Sequence, residues 1–195
     1  MDRRRLLAAS AAGFGAVAGC LETATTSSEP TANTRIVGIE PDEQPDLSVA
    51  PSVAIQTSEE TETAPASIAV EWKHVGDEEL SLGESRFVRF TNVRAENGNA
   101  HLIRPDYFGN LDETATYDGC WRVTDGLAMD GSFDTTRLEV DDIHSGEPRL
   151  YAADGDCLSS DSYRFETNLQ IEYPADGTRI EGEWGFELEV ETDEG

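Results

Sequence analysis

Apolar and polar residues alternate at period two in several stretches of the chain. Ile68, Val70 and Trp72 share one parity, with Ala69, Glu71 and Lys73 on the other. Leu138 and Val140 alternate with Arg137, Glu139 and Asp141. Tyr163, Phe165, Leu169, Ile171 and Tyr173 fall on one face, opposite Arg164, Glu166, Gln170 and Glu172. Trp184, Phe186, Leu188 and Val190 oppose Glu183, Glu187, Glu189 and Glu191. Each run reads as a strand with one buried and one wet face. Leu47–Gln56 and Arg86–Val93 are further strands of less regular pattern. Turns separate them at Val75-Gly76-Asp77, Glu96-Asn97-Gly98, Asp154-Gly155-Asp156 and Ala175-Asp176-Gly177. No run sustains a helical period. About six to nine short strands in a domain of this size predict an all-β antiparallel sandwich.

The pattern stops upstream of residue 46. Of the 25 residues in Leu21–Pro45, 15 are Ser, Thr, Pro, Asp or Glu, and none is aromatic. Such a stretch buries too little apolar surface to order itself and reads as a tether. Within it only the Arg35–Glu40 patch has the look of a short strand. The expected division is 1–19 leader, 20–45 lipidated Cys and flexible tether, and 46–195 sandwich domain. No Asn-x-Ser/Thr sequon occurs, so N-glycosylation is not expected, while O-glycosylation of the Thr-rich tether stays open.

The leader is MDRRRLLAASAAGFGAVAGC. Positive charge at Arg3, Arg4 and Arg5 precedes an apolar stretch from Leu6 to Ala18. That stretch is shorter than the ~20 residues a bilayer span needs and has the layout of an export signal. Arg3 and Arg4, followed by Arg5-Leu6-Leu7, fit the twin-arginine pattern. Val17-Ala18-Gly19-Cys20 has the form of a lipobox, in which Cys20 takes a diacylglyceryl group. Two chains on one Cys are enough for stable anchoring. The expected location is the outer face of the cell membrane, with the bilayer itself as one partner.

The balance of charge is strongly acidic. The 195 residues hold 40 acids and 14 bases, for a formal charge of −26, and Lys73 is the only Lys. Without residues 1–19 the chain loses Asp2 and three Arg, leaving 39 acids against 11 bases. No nucleic-acid partner is expected, because phosphate binding needs clustered Lys and Arg. The acids are spread along the chain and are not a disordered tail. In dilute buffer their repulsion works against compactness. At ~1 M salt the Debye length is about 3 Å and the repulsion is screened. The composition resembles that of secreted proteins of extreme halophiles, and the leader resembles those of haloarchaeal twin-arginine lipoproteins.

A fold resemblance can also be stated. Ala66–Leu82, with its apolar strand, Gly76-Asp77-Glu78 turn and Leu80-Ser81-Leu82, resembles the second strand and turn of bacterial and archaeal Ig-like accessory domains. Asp161-Ser162-Tyr163-Arg164-Phe165 resembles the entry to their penultimate strand, with Tyr163 in the place of a tyrosine corner. Ser159-Ser160-Asp161 stands where many such domains carry Pro-Gly. The resemblance implies an Ig-like β-sandwich and no particular activity.

Cys120 and Cys157 remain once Cys20 is assigned to lipid, an even pair in an exported chain. A disulfide is expected in an oxidising compartment; free thiols or metal ligation are the alternatives. A blue-copper site needs Cys, two His and an axial ligand such as Met gathered together. The mature chain has His74, His101, His144 and Met129, and no His follows Cys120 or Cys157 within ten residues. Copper is rejected.

There is no Gly-x-Ser-x-Gly elbow and no His-Glu-x-x-His helix. His144-Ser145 is adjacency alone, and each His reads as a surface or strand-end residue, His74 at the rim of the core. The 34 carboxylates of 46–195 single out no glycosidase pair. Asp125, Asp130, Asp154 and Asp156 lie in loops of the kind that wrap calcium, but EF-hand spacing is lacking. No catalytic residue, metal ligand or cofactor is expected.

The reading is a membrane-anchored, non-enzymatic binding or accessory domain whose partner is a protein or envelope polymer. The alternatives are a cation-dependent ligand-capturing subunit of a transport system and a hydrolase with an unrecognised carboxylate pair.

Overall fold

The computed structural model describes residues 33–84, 92–105, 111, 115–123, 135–153 and 155–193. Arg3, Arg4 and Cys20 lie outside the described residues, as do Asp125, Met129, Asp130 and Asp154. In chain order the strands are β1 (Thr34–Pro41), β2 (Val49–Thr57), β3 (Ser67–His74), β4 (Leu80–Glu84), β5 (Asn92–Arg94), β6 (Ala100–Ile103), β7 (Ala115–Tyr117), β8 (Trp121–Val123), β9 (Thr135–Leu138), β10 (Ile143–Gly146), β11 (Arg149–Ala153), β12 (Asp161–Glu172) and β13 (Arg179–Thr192).

Two sheets pack face to face. The first runs β1-β13-β12-β4-β9, antiparallel throughout. In the second, β3 has β2 along one edge and β10, then Arg149 of β11, along the other. The order then continues β11-β6-β5. A short hairpin, β7–β8, joins this sheet by a two-residue parallel pairing of β8 with β11. Strands β2, β3, β11 and β6 occupy the places of A, B, E and D in an immunoglobulin-type sandwich, and β4, β12 and β13 those of C, F and G. The remaining strands are additions to that plan: β1 on the outside of β13, β9 on the outside of β4, β5 on the outside of β6, β10 beside β3, and the β7–β8 hairpin.

The alternation explains the core. Ile68, Val70 and Trp72 from β3 meet Phe165, Leu169 and Ile171 from β12 and Trp184, Phe186 and Leu188 from β13, all 0–1% exposed. Trp72 and Trp184 meet edge to face at 5.3 Å, bridging the two sheets at the centre of the core. Thr167 shares the buried face of β12. A second, smaller cluster of Ile103, Leu111, Val123 and Tyr151 lies apart from the first. Ile103 and Tyr151 alternate with core-facing Leu102 and Leu150, so this cluster lies on the outer side of the second sheet. Trp121 packs there against Tyr151 and Tyr117, at centroid distances of 6.4 and 5.7 Å.

Two sequence expectations are corrected. The tether ends earlier than residue 45, because β1 pairs with β13 from Thr34↔Thr192 to Pro41↔Phe186. Thr34 and Ile36 are buried while Arg35 and Val37 face out. The alternation of β1 spans only Thr34–Val37 before a register shift between Ile36 and Gly38, and is diluted by the Ser, Thr and Glu on either side. The segment after β1 is also fixed: Arg164 grips Asp42 through two hydrogen bonds of 2.7 and 2.6 Å. That guanidinium holds the Asp42 carboxyl below the usual carboxylate range. The second correction is Val140. β9 stops at Leu138, Val140 is exposed, and the chain turns through Asp141 at φ 66°.

Candidate functional site

The Cys120–Cys157 disulfide is formed, with Cα atoms 5.8 Å apart. It ties the start of β8 to the segment leading into β12. Glu60 fastens the same hairpin from the other side. Its carboxylate accepts from Thr34 N–H at 2.7 Å and Trp121 N–H at 3.4 Å. Glu60 is 6% exposed, and burial pushes its carboxyl above the usual range. The Tyr117 hydroxyl is raised by burial and then by the negative charges of Glu60 and Glu62. Trp121 Nε1–H donates to Thr61 O at 2.6 Å, which fixes the 59–64 loop.

That loop walls a cavity of about 510 Å³. Thr57 ends β2, Ala64 and Pro65 lie in the loop, and Ser67 opens β3. Ser145 and Gly146 end β10, and Arg149 opens β11. Ser67 alternates with core-facing Ile68, and Arg149 with Leu150, so both point to the outer side of the second sheet. They are register partners there, as are Arg149 and Ile103. Arg104 is 7% exposed and forms another wall. It lies flat over Gly146: a Cβ there would sit 3.1 Å from Arg104 Cδ, Nε and Nη1. The volume lies within the ~300–1,000 Å³ range of small-ligand sites. Among the described residues, the side chains of Gln56, Thr57, Ser67, Ser145 and Arg149 make no hydrogen bond or ion pair within the chain. Glu147 adds one carboxylate to the lining.

The histidines are dispersed. His74 is not a rim residue: it is fully buried at the end of β3, and its Nδ1 lies 2.7 Å from Glu139 O. His101 Nε2 meets the Asn92 side-chain oxygen. His144 and Ser145 alternate on β10, paired to Trp72 and Glu71, and so project to opposite faces of the sheet. Adjacency therefore separates them. Asp156 gives its backbone carbonyl to Asn99 Nδ2 at 2.9 Å. Among the described residues no three His, Cys, Asp or Glu side chains gather in a metal-binding group. No described helix is long and apolar enough to cross a membrane.

Sequence reasoning missed the cavity residues. Ser, Thr and Gln on strand ends carry no motif, and the one signal was an Arg in a chain with few bases. The carboxylate partners of Arg35, Arg122, Arg137, Arg164 and Arg179 are Glu191, Asp118, Glu79, Asp42 with Glu166, and Glu172. Arg149 has none among the described residues. No protein-family model, curated protein or solved structure matches the chain.

Proposed function

We propose that the chain is an exported lipoprotein of a high-salt envelope. Cys20 carries the lipid, and the Ig-like sandwich outside the membrane is a non-enzymatic binding or accessory domain. The leader supports export and anchoring through Arg3, Arg4 and the lipobox. With β1 part of the sandwich, the tether comprises about a dozen residues, from Leu21 to Asn33. It is long enough to lift a domain from the bilayer surface.

One observation carries the binding role. An open cavity on the outer face of the second sheet collects side-chain donors that have no partner among the described residues. A packed domain ordinarily spends such groups on itself or on water, and a cluster of uncommitted ones is what recognition requires. A protein or an envelope polymer is the partner this arrangement suits.

The test is cross-linking in intact membranes at working salt with a carboxylate-reactive linker, followed by mass spectrometry. Amine-reactive reagents suit this surface poorly, since Lys73 is the only Lys. One dominant partner is expected. Turnover of a substrate by the purified lipoprotein would overturn the non-enzymatic reading. Release of Cys20→Ala into the medium, with the native chain retained on membranes, is the expected result for the anchor. Retention of both would overturn it.

A further inference from the structure

We infer that the cavity beside Arg149 binds a singly charged, hydroxylated carboxylate, the class of hydroxy acids and acidic sugars. This deepens the binding role proposed above and rests on it. Arg149 would hold the carboxylate, and Ser67, Thr57, Gln56 and Ser145 would read the hydroxyls.

The chain holds 40 acids, yet the Arg149 guanidinium has no carboxylate partner among the described residues. Its position explains why. Its cross-strand partners are Ser67 and Ile103, neither of which is acidic. Pairing with a carboxylate from outside satisfies the planar fork in two parallel bonds.

The other lining groups fix the rest of the ligand. Hydroxyl and amide groups both donate and accept, and so do the alcohols of a polyol. Apolar contact is limited to Ala64 and the prolines Pro65 and Pro105. A purely apolar ligand would find little surface there to bury against.

Charge sets the ligand at one negative unit. Arg104 and Arg149 stand on the lining against one carboxylate, Glu147, and the whole chain carries −26. A dianion such as phosphate is repelled more strongly than a monocarboxylate by the same field. Molar salt screens the long-range part of that field, with a Debye length of about 3 Å. It also supplies chloride as a competitor for Arg149. Chloride is spherical and satisfies neither the fork geometry nor the hydroxyl donors, so the discrimination comes from shape and hydrogen bonding.

The experiment uses the purified, detergent-solubilised lipoprotein and calorimetric titration in molar KCl at fixed ionic strength. D-glucuronate is the probe, with D-glucose and inorganic phosphate as comparisons. Saturable glucuronate binding is expected, at least about tenfold tighter than glucose or phosphate, a gap of ~1.4 kcal/mol. Arg149→Gln should weaken glucuronate by about tenfold or more, with the near-UV circular dichroism unchanged. Ser145→Asp, at an exposed position, adds a second negative charge to the cavity and should do the same. It decides the matter if Arg149→Gln fails to fold.

Absence of saturable glucuronate binding, equal affinity for glucose, tighter binding of phosphate, or full affinity in a folded Arg149→Gln or Ser145→Asp variant would each overturn the inference. A cross-linked partner found together with a silent titration would remove this ligand class and leave the accessory role standing.

Discussion

The Tyr163 hydroxyl donates to Ser159 O at 3.0 Å and lies 3.1 Å from the N–H of the same residue, from which it accepts. Ser159 is four residues upstream, in the segment that leads from the disulfide into β12. The hydroxyl thereby closes the corner between the strands in the E and F places. The ring packs against Gly98, whose φ is 75°; a Cβ there would sit 2.9 Å from Tyr163 Cε1. A side chain at 98 would be both strained in φ and in collision. This is the tyrosine-corner geometry of Ig-like sandwiches.

Tyr163→Phe keeps the packing and leaves the Ser159 N–H and C=O without their partner. Tyr163 is 1% exposed, so the loss should be about 2 kcal/mol. Urea unfolding at fixed molar salt would read it as a lower midpoint with an unchanged slope. A midpoint equal to that of the native chain would mean the corner contributes no net stability.

Two glycines on the first sheet should respond in opposite ways to the same substitution. At Gly185 a Cβ would lie 2.2 Å from Phe165 O, a backbone atom that cannot step aside. Gly185→Ala should cost about 3 kcal/mol or more, the upper range for overpacking. At Gly38 the nearest atoms belong to the Glu189 side chain, which ends in a carboxylate at 2.5 Å. That side chain can rotate into solvent, so Gly38→Ala should stay within about 0.5 kcal/mol. Thermal melts of the two variants side by side would check the contrast.

The central strands were legible because both faces of β3, β12 and β13 differ sharply: Trp72, Phe165 and Trp184 on one side, Glu71, Glu166 and Glu183 on the other. The antiparallel sandwich followed from that pattern, while the Tyr163 corner came only from the resemblance of Asp161–Phe165 to Ig-like domains. β1 was hidden by its polar surroundings. Strands of three to five residues, such as β6, β8, β10 and β11, are too short to show a period. The cavity was illegible for a different reason. Ser67 lies 79 residues before Gly146 and 82 before Arg149, and only sheet register brings them together. His74 continues the parity of Trp72, yet alternation alone placed it only at the rim of the core, and its full burial needed the structure.

The disulfide closes a loop between residues 37 apart. In the chain-entropy model that is worth about 4 kcal/mol. Cys120→Ala with Cys157→Ala should lower stability by ~2–4 kcal/mol. Free energies from urea unfolding would check it, since the loss should match that produced by a reductant on the native chain. A reductant effect absent in the native chain would mean that the bridge adds nothing to stability.

Salt dependence follows from the charge. With 39 acids and 11 bases on the mature chain, dilution lengthens the Debye length from about 3 Å at 1 M to about 10 Å at 0.1 M. Carboxylates on neighbouring strands, such as Glu187 and Glu189 on β13 with Glu40 on β1, then repel one another. Near-UV circular dichroism should fade below roughly 1 M salt and return on re-addition. A spectrum unchanged in dilute buffer would refute the halophilic reading.

Glu60 supplies a pH dependence of known sign. Burial raises its folded-state carboxyl above the ordinary Glu value. Between the unfolded and folded values the folded chain therefore binds more protons than the unfolded one. Stability falls with rising pH wherever that holds. The penalty begins as pH climbs through the ordinary carboxylate range and is complete above the raised folded value. Glu60→Gln removes the ionisation and keeps an oxygen for Thr34 N–H, which the native carboxylate meets at 2.7 Å. The variant and the native chain should melt at similar temperatures at low pH, and the variant should gain a few degrees at neutral pH. A variant less stable than the native chain at neutral pH would mean that the bonds to Thr34 and Trp121 outweigh the cost of burying the charge.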